Sequence, residues 1–160
     1  MTREVTLAAT QFACSWDIEA NLHTAERLVR EAAGRGAQVV LLQELFQTPY
    51  FCITQDPRHI DLARPAKDDP AIARFSRLAA ELGVVVPVSF FERAGQAFFN
   101  SVAVIDADGS VLGVYRKSHI PDAVGYQEKF YFSSHSPPLT SSPRVILEQV
   151  TGLSSAGLPR

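Results

Sequence analysis

The chain is poor in cysteine. Its 160 residues hold two, Cys14 and Cys52, and none follows Cys52. With no secretion signal in view, two thiols read as reduced cytosolic side chains rather than a disulfide framework. Surplus charge is also missing. Fifteen Lys and Arg against 17 Asp and Glu leave a net charge of −2, which gives no basic footprint for nucleic acid and no polybasic patch for anionic lipid. No run approaches the ~20 apolar residues of a membrane span, and "MTREVTLAATQFACSW" lacks the apolar core of a signal peptide. The expectation is a soluble, cytoplasmic protein without nucleic-acid or membrane partners.

Several site motifs are absent too. "GRGA" at Gly34 precedes a strand pattern instead of following one, so it reads as a helix terminus and not a dinucleotide loop. There is no phosphate-binding P-loop and no G-x-S-x-G nucleophile elbow. His23, His59, His119 and His135 are scattered, without the i, i+4 pairing of a helical zinc site. These histidines therefore give no sign of a metal site.

What remains is a globular composition, 46% hydrophobic and 20% charged, ordered as β-α-β-α-β-β-β. "EVTLAATQF" (Glu4 to Phe12) reads as a buried strand. Asp17 caps a helix running to about Ala33, with Leu22, Ala25, Leu28, Val29, Ala32 and Ala33 on one face. "AQVVLLQELF" is short and almost wholly apolar, as in a strand covered on both faces. Asp69-Pro70 pairs a cap with proline at the first helical position, and the following helix places Ile72, Phe75, Leu78, Ala79 and Leu82 on one stripe before Gly83 stops it. "VVVPVSFFE" is another buried strand. "AFFNSVAVIDADGSVLGVYRK" alternates as a hairpin around Asp106-Ala107-Asp108-Gly109. From Ser133 to Arg160 only "RVILEQV" has a pattern, that of a short edge strand or a loose helical turn.

Two charges stand out. Glu44 follows "VVLLQ" and Lys117 ends "SVLGVYRK", each after an apolar strand run. The carboxyl ends of strands are where open α/β sheets place ligands. Taken alone each residue reads as a surface charge in a turn. Together they make a pair able to shift each other's pKa in a partly buried pocket.

The residues around that pair carry a resemblance. "QELFQTPYFC" and "YRKSHIPDAVGYQEKFYF", with "AATQFACSWDIEANLHTAERLVREAAGRGAQ" and "VSFFERAGQAFFNSVAVIDADGSVLGVYRKSHIPD", resemble the nitrilase, or carbon-nitrogen hydrolase, superfamily. The nearest likeness is to its N-carbamoylputrescine amidase group. It covers residues 4–132, in order, and departs at Ala123-Val124-Gly125, where the family usually has Gly-Pro-Gly. The resemblance implies the N-terminal half of an α-β-β-α sandwich and a Glu-Lys-Cys triad. Glu44 becomes the general base, Lys117 the cation for the oxyanion, and Glu128 a second carboxylate orienting the lysine and substrate. It implies hydrolysis of N-carbamoylputrescine to putrescine, CO2 and NH3 in polyamine biosynthesis, or of another small ureido or amide substrate as in β-ureidopropionases and ω-amidases. It further implies no cofactor, and a homo-oligomer. Tyr50 and His119 flank the triad positions and are the candidates for substrate contact.

The family's nucleophilic cysteine lies beyond Glu128, where this chain has none. Cys14 and Cys52 match positions that are not catalytic. Residues 133–160 therefore read as a divergent, Ser/Pro-rich, poorly ordered tail standing where the catalytic half should be. The chain as written is expected to be an inactive fragment with an uncovered apolar sheet face. A non-enzymatic role beside an intact paralogue is the remaining alternative.

Overall fold

The computed structural model describes residues 4–134, so the Ser/Pro-rich stretch with "RVILEQV" lies almost wholly outside the described residues. The elements are β1 (Leu7–Ala9), α1 (Ile18–Gly34), β2 (Val39–Leu41), α2 (Pro70–Leu82), β3 (Val86–Ala94), β4 (Ala97–Ile105), β5 (Val111–Arg116) and a one-turn α3 (Glu128–Tyr131). Three short 3-10 turns, Phe51–Ile53, Pro57–Leu62 and Ala66–Asp68, fill the connection between β2 and α2.

Both long helices begin where their capping residues place them. The Asp17 carboxylate accepts from the Ala20 N–H, and Asp69 accepts from the Ala71 and Ile72 N–H groups with Pro70 at the first position. Each satisfies donors that the first turn leaves without partners. α2 ends at Gly83, whose φ is 66°.

β1 and β2 pair in parallel, Leu7 opposite Val39. Val40 N–H donates to Val85 O at 2.9 Å and Val85 N–H donates to Gln38 O at 2.9 Å. These two bonds carry the sheet from β2 to the start of β3. β3, β4 and β5 then continue antiparallel, with Val86 opposite Ile105 and Ser101 opposite Arg116. The two parallel steps need crossovers, and α1 and α2 supply them.

Both helices cover one face. Leu22, Ala25 and Val29 of α1, with Ile72, Phe75, Leu78 and Ala79 of α2, pack on Val40, Val86, Val88, Phe90, Ala103 and Ile105. The opposite face is open among the described residues: Leu7 is 71% and Leu41 53% exposed. The expectation of a strand buried on both faces at residues 37–46 is therefore corrected. β2 is three residues long, and the helices cover only Val40 of it fully. The first strand shortens likewise to Leu7–Ala9, and its outward residues are exposed. A second cluster, Leu45, Phe51, Cys52, Ala63, Phe91, Ile120, Tyr131 and Phe132, gathers beneath the 3-10 turns.

The β4–β5 turn packs against α2. A Cβ on Gly109 (φ +85°) would lie 2.5 Å from the Ser76 carbonyl oxygen. Gly109→Ala is expected to cost about 1–3 kcal/mol through a left-handed alanine and a backbone clash. Gly34→Ala, at the end of α1 with nothing within 4 Å, should instead be neutral or stabilising by about 0.5–1 kcal/mol. Urea denaturation of both variants checks the contrast.

Candidate active site

The pleat of β5 sends Arg116 and Lys117 to opposite sides of the sheet. Arg116 lies on the same side as Val88 and Phe90. There its Nε and Nη2 donate to Glu92 at 2.8 and 2.6 Å, Ser101 Oγ donates to Glu92 at 2.6 Å, and the guanidinium stacks over Phe99 at 4.2 Å. Glu92 is buried, so this pair serves packing.

Lys117 extends the β5 ladder by donating its backbone N–H to Asn100 O at 2.8 Å. Its side chain emerges on the open face. There Nζ donates to Glu44 Oε1 at 3.1 Å and to Glu128 Oε1 and Oε2 at 3.0 and 2.9 Å. One ammonium is thus clamped between two carboxylates. Glu128 is 2% exposed and also accepts from Tyr50 OH at 2.7 Å.

Glu44 is held from behind. The Gln43 amide bonds the backbone N–H and C=O of Phe12 at 2.9 and 2.8 Å, prolonging the β1–β2 pairing through a side chain. Leu45 follows with φ 51°, a conformation rare for a non-glycine residue. Its N–H donates to the buried Ser89 Oγ at 3.0 Å. Glu44 therefore stands on a strained turn three residues past β2, not at the strand's own end. Asn100 Nδ2 donates to Glu44 Oε1 at 2.6 Å. Oε1 accepts both of these hydrogen bonds, whereas Oε2 has no hydrogen-bond partner among the described residues.

The electrostatics follow the packing. Burial pulls the Lys117 ammonium down, but the hydrogen bonds and charges of Glu128 and Glu44 outweigh it and hold its pKa above the usual lysine value. Burial and the Glu128 hydrogen bond push Tyr50 far above the usual phenol range, so it stays a neutral donor. Cys52 is fully buried. Burial first, then the charges of Glu128 and Glu44, raise its thiol strongly, with only Lys117 opposing. A thiol held protonated and shut from solvent is a poor nucleophile. Cys14 is spent on the backbone, its Sγ donating to Phe46 O at 3.2 Å.

Of the residues singled out by sequence, Glu44, Lys117, Glu128 and Tyr50 meet. They line a cavity of about 590 Å3 together with Pro121 and Tyr126. His119 is exposed and does not line it. Asn100 and Ser89 join the site without standing out in the sequence. A signal for them exists, since each is a polar residue inside an apolar strand ("FFNSV", "VPVSFF"). Among the described residues no cluster of three or more His, Cys, Asp or Glu could hold a metal ion. No helix among them is long and apolar enough to cross a membrane.

The sequence model of the Carbon-nitrogen hydrolase family matches residues 6–156. The chain is 60% identical over 131 residues to an N-carbamoylputrescine amidase of Arabidopsis thaliana, covering 82% of this chain and 44% of that one. It is 44% identical over 132 residues to a citrullinase of Francisella tularensis, covering 82% and 46%. Its fold matches a carbon-nitrogen hydrolase from Helicobacter pylori G27 with a TM-score of 0.75 at 36% identity, over 82% of this chain and 45% of that one. The chain thus spans less than half the length of these relatives.

Removing Lys117 strands a buried carboxylate. Lys117→Met is expected to destabilise by about 2–3 kcal/mol, below the ~3–5 of a fully buried pair because about a third of the lysine side chain faces solvent. Adding Glu128→Gln should recover part of that loss in a double-mutant cycle. The lysine's raised pKa also sets a pH window. Its stabilising contribution is complete below the ordinary value of 10.5 and fades as pH rises through the raised one. Wild type should lose denaturant resistance above that pH more steeply than Lys117→Met.

Proposed function

The chain belongs to the carbon-nitrogen hydrolase family, and from that premise we propose that Glu44, Lys117 and Glu128 are the acid-base and electrostatic part of a hydrolase for small ureido compounds, N-carbamoylputrescine foremost. The observation that carries the reading is the Lys117 ammonium held between two carboxylates at the floor of an open cavity. A ureido carbonyl is unreactive. Its cleavage needs a nucleophile relieved of its proton and a fixed positive charge where the carbonyl oxygen becomes an alkoxide.

Glu44 Oε2 suits the proton and Lys117 suits the oxyanion. Asn100 and Lys117 fix the other oxygen of Glu44, so the base is aimed before substrate arrives. Glu128 holds the ammonium without being consumed. In the sequence of steps, a thiol attacks the carbonyl carbon while its proton passes to Glu44. Collapse of the tetrahedral adduct expels the substituted amine as putrescine, which takes that proton, and leaves a carbamoyl thioester. Water then releases the thiol, ammonia and CO2. The attacking thiol is neither Cys14 nor Cys52, so the described residues supply base and cation but not the nucleophile. The ureido class is favoured over simple amides by the two relatives just described, one named for N-carbamoylputrescine and one for citrulline.

Joining residues 1–132 to the remaining C-terminal part of the Arabidopsis relative tests the assignment. The chimera is expected to release ammonia from N-carbamoylputrescine, while the 160-residue chain alone releases none above background. In the chimera, Glu44→Gln and Lys117→Met should each lower kcat by about 10²–10⁴-fold. A folded chimera without activity, or one indifferent to Glu44→Gln, would refute these roles.

A further inference from the structure

The face of the sheet away from the helices has no cover among the described residues. The pleat sets its members. Ala8, Val40, Val86, Val88, Ala103 and Val114 pack toward the helices, so their neighbours Leu7, Leu41, Pro87, Val102 and Tyr115 stand on the other side. Leu7 and Leu41 are exposed, and Pro87, Val102 and Tyr115 are partly so. None of the five carries a charge. Leu41, Pro87, Val102 and Tyr115 line a groove of about 300 Å3 that ends at Glu44 and Lys117.

The opposite side of the molecule is finished for water. Arg30 bonds Glu26 and Glu81, Arg74 bonds Glu19, and Arg27 pairs with Glu31 over α1 and α2. With ion pairs on the helix layer and aliphatic side chains on the sheet, the sheet is the side whose contact with another surface releases water from apolar groups.

Size limits the occupant. Five strands spaced ~4.8 Å apart, with about five residues of ~3.3 Å each, give a flat footprint of roughly 400 Å2 before side-chain relief is added. The chain beyond the described residues is too sparing to cover it. Residues 135–160 hold one apolar run, Val145-Ile146-Leu147 with Val150. Fully extended, such a run matches one strand, about 5 Å of a width of ~24 Å. A second copy of the chain brings a face of the same width, twist and polarity.

We propose that two copies of this chain pair face to face through their open sheets, with Leu7, Leu41, Pro87, Val102 and Tyr115 of each meeting those of the other about a two-fold axis. Sheets of equal twist stack with their strands about 30° apart and ~10 Å between layers, and a two-fold axis makes the patch its own complement. The area sets the strength. Burying the footprint on both copies removes roughly 800 Å2 before relief, close to the ~1,000 Å2 that a specific interface must clear. The pairing is therefore reversible, with a Kd of about 1–100 µM, and not obligate. The inference uses nothing from the hydrolase reading and stands or falls separately from it.

The test is sedimentation equilibrium of the full 160-residue chain over loading concentrations from about 1 to 300 µM, which bracket that Kd. The mass is expected to rise from the 17.5 kDa of one chain to twice that value and then level off, as a closed two-fold requires. An apolar contact should hold as NaCl is raised from about 0.05 to 0.5 M, a range over which exposed charge pairs are screened. Leu41→Lys and Leu7→Lys should each weaken pairing at least about 10-fold, since a two-fold axis introduces every substitution twice. Arg27→Ala, on the helix side, should leave it unchanged. All three side chains are exposed, and circular dichroism checks that the variants stay folded. A monomer at every concentration would overturn the proposal, and association of that monomer after Leu147→Asp would name the chain's own C-terminal stretch as the occupant. A dimer indifferent to both lysine substitutions, a dimer that dissociates in salt, or a mass that keeps climbing past two chains would each overturn it as well.

Discussion

A single ammonium joins three distant parts of the chain. Lys117 reaches Glu44, 73 residues earlier, and Glu128, 11 residues later. In doing so it fixes the position of the β2 exit loop against the sheet and of α3 against both. Bringing Glu128 out of water costs several kcal/mol unless its charge is met. Lys117 and the Tyr50 hydroxyl meet it together. The price is a site that cannot be loosened at one member without exposing the others to an uncompensated charge, so the shape of the pocket and local stability are carried by the same atoms.

The supporting layer works by shape as much as by charge. Gln43 imitates a strand residue with its side chain, Ser89 accepts the N–H of a leucine held in left-handed backbone, and Asn100 occupies one oxygen of the Glu44 carboxylate. Each is a polar group buried or half-buried in apolar surroundings with its partner in place, which is the condition under which such groups stiffen a site rather than weaken it. Strain at Leu45 is offset by the Ser89 bond and by packing of its side chain in the second cluster.

Much of the frame is legible in the chain. Asp17 and Asp69-Pro70 announce helices because their side chains can serve only as caps there, and Asp106 to Gly109 announces a reversal because little else tolerates that backbone. The site is legible in outline: Glu44 and Lys117 follow apolar runs, and the family resemblance supplies Glu128. Other features are hidden by physics that one-dimensional patterns do not hold. The length of β2 depends on where Gln43 and Leu45 redirect the chain, and the 3-10 turns depend on aromatic packing beneath them. The single-turn α3 has too few residues for a period. Proximity in sequence suggests Tyr50 as a substrate contact, yet its hydroxyl lies on Glu128, a pairing set by tertiary structure alone. The open sheet face follows from the α-β half-sandwich that the sequence suggests. An apolar run, however, does not by itself mean burial on both sides, and β2 is covered on one.

The alternation at Arg116-Lys117 has a genetic corollary. The two cations are neighbours in sequence, yet one closes a structural pair beneath the helices and the other serves the pocket, separated only by the parity of the strand. Loss of a single codon within β5 would exchange their sides. A guanidinium would then face Glu44, and a lysine would face Glu92 with a single point charge in place of a bidentate fork. Most substitutions in this strand would be graded in effect, but an in-frame deletion of one residue would rewire two sites at once. Length, more than composition, is what this strand must inherit unchanged.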